Sequence, residues 1–149
     1  MFIFFCDIIF MVIKMMKVVG TIFIEDNKLL LDKPRKRPTY QMIGGRVEEG
    51  ETVLEAAIRE CHEELGHKAI IDETLFKEVM NFEEIATSDP NLKIHFYVFI
   101  YEGELNGELT TSEEIENFLW YDSNFGTGIL SNTLKNEVIP YCLKNNLIK

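Results

Sequence analysis

One segment constrains this chain more than any other: a helix whose two ends are written into the sequence and whose acids crowd the wrong end. Thr52 and Glu55 are spaced as the N-cap and third helical residue of a capping box. Gly66 follows as a natural stop. Between them Leu54, Ala57, Ile58, Cys61 and Leu65 recur on one stripe, so one side of the helix is expected to enter a core. Glu60, Glu63 and Glu64 share another flank, with the small Ala56 beside them. The C-terminal end of a helix carries partial negative charge and disfavours each acid there by roughly 0.3–1 kcal/mol. The pairs Glu60/Glu63 and Glu60/Glu64 add like-charge repulsion of roughly 0.2–0.5 kcal/mol each. A bound cation is the simplest compensation, and hard oxygen ligands point to Mg²⁺ or Mn²⁺. The other reading is a solvated acidic face on an acidic protein.

The chain around this helix has 149 residues, enough for one domain with a real core. With 46% hydrophobic and 27% charged residues it is too apolar to stay disordered. A net charge of −10 repels nucleic-acid backbones and anionic membranes, so neither partner is expected. A phosphate-bearing small molecule remains compatible, given a metal or a local basic patch. Cys6, Cys61 and Cys142 are scattered and form no CxxC pair, which argues against a disulfide framework or zinc site and for a reducing cytoplasm.

Residues 1–16 stand apart as an apolar extension broken only by Asp7 and Lys14. The run lacks a basic n-region and a small-residue cleavage site, and its uncharged stretch is far short of the roughly 20 residues that span a bilayer. Three readings stay open: an upstream extension with Met15 or Met16 as the natural start, an added element packed on the domain or at a dimer contact, or a membrane anchor. The domain proper is expected over 17–149.

Within it, Lys17 to Glu25 reads as a buried strand, Asp26-Asn27 as a tight turn and Lys28 to Asp32 as the returning strand. Lys33 to Pro38 reads as a loop, Tyr40 to Ile43 as a short strand before Gly44-Gly45, and Arg46 to Gly50 as an acidic loop. Lys68 to Phe82 is expected to hold one or two strands, and Ser88 to Asn91 a turn. Lys93 to Tyr101, apolar on both alternating faces, reads as a central strand. Glu102 to Ser112 reads as connecting chain, Phe118 to Trp120 as a short strand, and Leu130 to Lys144 as a closing helix. That helix should turn Leu134, Val138 and Tyr141 inward, with Pro140 as a possible break.

Gly45-Arg46-Val47-Glu48-Glu49-Gly50-Glu51, followed by Thr52 to Ile58 and then Arg59-Glu60-Cys61-His62-Glu63-Glu64-Leu65-Gly66-His67, resembles the Nudix box, G-x5-E-x7-R-E-U-x-E-E-x-G-U, where U is bulky and apolar. All the fixed Gly, Glu and Arg positions match. Cys61 fills an apolar position, His67 stands where an aliphatic residue is usual, and Ile43 replaces the proline that often precedes the glycine pair. The strand order from Lys17 through the last helix is also similar to the family. The resemblance implies an α+β fold, a Nudix-type α/β/α sandwich with a central mixed sheet. It also implies an enzyme of the pyrophosphohydrolase class, cleaving the pyrophosphate of a nucleoside diphosphate linked to another group. A nucleoside triphosphate is the expected substrate. ADP-ribose, a nucleotide-sugar, or a non-catalytic nucleotide-binding role are the alternatives. Mg²⁺ or Mn²⁺ would be the cofactor and a monomer or homodimer the assembly.

By position, the resemblance makes Glu60, Glu63 and Glu64 metal ligands, with the Gly45 carbonyl as a further donor and one glutamate, Glu60 first, as base. Arg59 and Glu51 would pair across the loop–helix junction and orient the ridge, supported by Gly44. Glu114, with Glu113 next, is the candidate for one more carboxylate from a loop before the Trp120 strand. Arg35 and Arg37 in the Lys33–Arg37 cluster suit substrate phosphates, or simply a solvated hairpin loop. Tyr40, Phe82, Tyr97 and Tyr121 could stack on a base or pack in the core; His95 reads as a satisfied core histidine. His62 and Cys61 point about 100° apart on the helix, so they do not make a nucleophile pair.

Overall fold

A computed structural model gives the structure of residues 14–149, and the readings made for 1–13 lie outside the described residues. The first strand, β1 (Lys14–Ile22), begins three residues before the expected Lys17. It runs parallel to β7 (Leu92–Tyr101), with Lys14 opposite Leu92 and Ile22 opposite Ile100. β4 (Ile43–Arg46) and β6 (Phe76–Ile85) flank this pair antiparallel, giving a mixed sheet in the order β4-β1-β7-β6. The parallel join needs a long crossover. The helix α1 (Val53–Leu65) lies in the stretch that makes it.

A second sheet is ordered β2-β3-β9, from β2 (Ile24–Glu25), β3 (Lys28–Pro34) and β9 (Ile115–Tyr121). The strand expected from Lys17 to Glu25 is thus interrupted at Phe23, and its two pieces serve different sheets. The β2–β3 hairpin turns on Asp26 and Asn27, both at positive φ (50° and 59°), a conformation that Asp and Asn accept and bulky residues resist. β3 continues past Asp32 to Pro34, where the register with β9 shifts. The expected strand at Tyr40–Ile43 is displaced: Tyr40 and Gln41 make isolated bridges, and the ladder starts at Ile43 and includes both glycines. The short β5 (Ala69–Ile70) and β8 (Asn106–Gly107) pair with each other, so the stretch read as connecting chain holds a strand.

Alternate residues of β7 face opposite layers. Phe99 packs with Val19, Ala56 and Ala57 beneath α1, while Val98 packs with Leu134, Val138 and Cys142 of the C-terminal segment. Helices therefore cover both faces of the sheet, the α/β/α arrangement. The closing helix is split. Leu134–Val138 forms a π-type turn in which the Ile139 N–H reaches back to the Leu134 carbonyl, and α2 (Ile139–Lys144) follows. Pro140 has no N–H to donate and its ring crowds the preceding turn, which accounts for the widened helix just before it. The buried seam is Leu134, Val138, Ile139 and Cys142; Tyr141 is only partly buried. Among the described residues no helix is long and apolar enough to cross a membrane.

Candidate active site

The site is built where α1 lies against β4. Thr52 caps α1 by accepting the Glu55 N–H at 3.1 Å, and Gly66 ends it at φ 89°. The inward stripe is rotated from the expected one. Ala56, Ala57, Cys61 and Leu65 are buried, Ile58 is half-buried, and Leu54 is exposed. The rotation carries two of the acids inward with the stripe, leaving Glu60 and Glu64 half-buried and only Glu63 in solvent.

Gly45 makes room for Glu60, and Gly44 lets β4 lie close against β1. A Cβ at Gly45 would stand 2.5 Å from the Glu60 Oε1, and one at Gly44 would collide with the Val19 carbonyl. Bare backbone thus lets α1 settle on the strand with its carboxylates against peptide groups. The Gly44 N–H donates to Glu64 Oε2 at 3.2 Å.

Arg59 gathers the remaining acids. It meets Glu51 across the loop–helix junction with both prongs, Nε to Oε2 at 3.0 Å and Nη2 to Oε1 at 2.6 Å. Nη1 lies 2.9 Å from Glu60, 3.3 Å from Glu63 and 3.8 Å from Glu48, and Nη2 also donates to the Arg46 carbonyl at 2.8 Å. Glu51 in turn accepts the Glu48 N–H at 2.7 Å, closing the acidic loop. Hydrogen bonds from Arg59 hold the Glu51 carboxyl below its usual range, and those carboxylates push Arg59 upward.

The inward acids are shifted the other way. Burial raises Glu60 in spite of Arg59. Burial, then the neighbouring Asp32, pushes Glu64 up to about 11. Asp32 is also raised by burial; it is 1% exposed on β3, and neither of its carboxylate oxygens has a hydrogen-bond donor. The contact between Asp32 and Glu64 therefore becomes a hydrogen bond only if one of the two carries a proton. Asp32 was missed in the sequence, where it closes the run Lys28-Leu29-Leu30-Leu31 and reads as a strand end. Its one signal is an acid continuing three leucines that are all fully buried.

Among the described residues no three His, Cys, Asp or Glu side chains are already gathered around one point. Arg59 holds Glu60 and Glu63 toward itself, while Glu64 turns to Gly44 and Asp32. The donor chemistry nevertheless fits a hard divalent ion: carboxylate oxygens beside a glycine strand, and a buried Asp32 against the half-buried Glu64 with no side-chain cation paired to either.

The other candidates lie further out. Glu114 is exposed and its carbonyl accepts the Arg35 N–H at 2.9 Å. It lies four residues before Phe118, which pairs with Asp32, or about 13 Å along the strand. No hydrogen bond or ion pair joins it to the ridge among the described residues. The Arg35 guanidinium is turned to the Ser112 carbonyl at 3.4 Å, and Lys33 pairs with Glu116 at 2.6 Å, so the basic loop is stapled to the 112–116 segment. Arg37 is exposed. His95 is hydrogen-bonded to Asn81 at 3.0 Å and stacked on Tyr97. Tyr121 is buried, Tyr40 bonds to Asn117 at 2.8 Å, and Phe82 stacks on Phe96. The Cys61 thiol is buried and pushed up to about 12, chemically inert packing.

Known proteins resemble this chain in sequence and in fold. The NUDIX domain family model matches residues 14–124. An ADP-ribose pyrophosphatase of Methanocaldococcus jannaschii is 33% identical over 109 residues, which is 71% of this chain and 61% of that protein. The chain thus spans about three-fifths of that relative's length. Among solved structures, a MutT protein from Methanosarcina mazei superposes with TM-score 0.69 at 18% identity, covering 89% of this chain and 96% of the other. A MutT NUDIX hydrolase from Burkholderia pseudomallei gives 0.68 at 19% identity, covering 88% and 97%. At these identities the two structures attest the fold.

Proposed function

The chain belongs to the Nudix family, and from that premise we propose that it hydrolyses the pyrophosphate bond of a nucleoside diphosphate linked to a second group, with Mg²⁺ or Mn²⁺ as cofactor. The observation that carries this reading is the seating of Glu60 and Glu64 on the bare Gly44–Gly45 backbone. A purely structural helix gains nothing from half-burying carboxylates near its negative end.

In this reading Glu60, Glu63, Glu64 and the Gly45 carbonyl hold the ion. The ion would lower the pKa of a bound water and neutralise phosphoryl charge. Glu60 takes the proton of the attacking water. Arg59, fixed by both oxygens of Glu51, sets the direction of the ridge and shields its acids from one another. Arg37, with Arg35 if its contact to Ser112 opens, meets the substrate phosphates against the chain's overall negative field. Glu114 joins only on movement of the 112–116 segment toward the ridge.

A nucleoside triphosphate is the first substrate to test. ADP-ribose is the second, favoured by the name of the 33% identical relative. A cytoplasmic setting suits the free, buried Cys61 and Cys142. The deciding experiment is a panel of nucleoside triphosphates, ADP-ribose and nucleotide-sugars with Mg²⁺ or Mn²⁺, products identified by mass. Metal-dependent release of a nucleoside monophosphate is expected. Nucleotide binding without turnover of any member would leave a regulatory binding domain instead.

A further inference from the structure

Asp32 is far from the Nudix-like segment in sequence and directly beside it in space. It sits on β3, its backbone paired with Gln41 through bonds of 3.1 and 2.8 Å, and its side chain reaches under α1 to Glu64. It is 1% exposed, and neither Oδ1 nor Oδ2 has a partner. None of the ion pairs among the described residues includes Asp32 or Glu64, because Arg59 is spent on Glu48, Glu51, Glu60 and Glu63. A buried carboxylate without partners is strongly disfavoured, and two in contact are more so. Leu29, Leu30 and Leu31 before it are fully buried, so packing alone would be served by a fourth apolar residue. Without metal, a proton shared with Glu64 is the compensation within reach, and no side-chain cation is paired with either acid.

We propose that Asp32 belongs to the divalent-cation centre, a second anionic group standing behind Glu64 so that one ion neutralises both carboxylates. Asp32 is then a positioning residue: it fixes the direction of Glu64 and adds negative charge beneath it, without touching substrate. Groups that orient a metal ligand in this way are worth about 10–100-fold in metal affinity. The inference rests on the reading of Glu64 as a ligand given above.

The test is a titration with Mn²⁺ alone, no nucleotide present, following the free-ion signal by electron paramagnetic resonance. It compares wild type, Asp32→Asn and Asp32→Leu, each with its metal-free melting temperature. The wild type should take up Mn²⁺. Both variants should bind it about 10–100-fold more weakly, while melting at or above the wild-type temperature without metal, because a buried acid and its desolvation cost are gone. Variants that match the wild-type affinity overturn the role of Asp32 and leave the metal reading standing. Weaker binding together with a lowered metal-free melting temperature also counts against it, since general loosening then explains both. If the wild type itself takes up no Mn²⁺, the metal reading fails first. Should Asp32→Asn not fold, Asp32→Leu, which has no polar atom to leave unpaired, is read by the same criteria.

Discussion

Gly45 has no side chain because Glu60 already fills the space one would need. Gly45→Ala is expected to push the carboxylate aside and lower kcat/KM by about 100-fold, the scale of a misplacement near 1 Å. Steady-state kinetics beside a melting curve will check that the fold survives. Glu64 gives a pH dependence of definite sign. Its folded pKa lies above the unfolded value of 4.5, so above that pH the unfolded chain sheds a proton that the folded one keeps. Metal-free stability should therefore fall as pH rises above about 4.5. Asp32, also raised, acts in the same direction. Melts in chelator between about pH 6.5 and 9 will read it, since carboxyls held low, such as Glu51 and Glu116, are ionised in both states there. Glu64→Gln should flatten the profile; an unchanged slope would mean Glu64 stays ionised when buried.

At the scale of elements, α1 was the most readable part because its ends are local chemistry. Thr52→Ala removes the cap to the Glu55 N–H and should cost about 1 kcal/mol in urea unfolding. Gly66→Ala should cost roughly 1–3 kcal/mol from its positive φ with extended ψ, a region open essentially only to glycine, with more from a Cβ placed 2.6 Å from Thr110. The rotation of the helix was less readable. Leu54 looks inward by hydropathy, yet the inner surface goes to small Ala56 and Ala57, which let α1 approach Val19 and Phe99 closely. β5 and β8 escaped the sequence reading because two-residue strands have no period and exist only through each other. The metal-type ridge was visible from spacing, whereas Asp32 was hidden: its burial comes from the packing of α1 over β3, and no local pattern encodes that. The basic loop gives another expectation. Arg37→Ala should raise KM more than Arg35→Ala, since the Arg35 guanidinium is already engaged by Ser112. Equal effects would show that the staple opens on binding.

For the whole molecule, a ligand that binds only the folded state adds about 2.7 kcal/mol of stability at 100 times its Kd. Mn²⁺ should raise the melting temperature accordingly, and Glu63→Gln should blunt the rise. The fold class was readable through the resemblance carried by the Gly45–His67 motif, with the apolar runs at Lys17–Glu25 and Lys93–Tyr101 consistent with its strands. The exact sheet partners were not, as the parallel pairing of β1 with β7 joins segments with no shared local signal. That pairing also shapes how the protein is made. β1 is an interior strand, yet during synthesis it emerges roughly eighty residues ahead of β7, a separation that slows folding. Until then its apolar edge waits uncovered on the ribosome, so slowing translation just before Leu92 should lengthen its exposure to chaperones and to misassembly with neighbouring nascent chains.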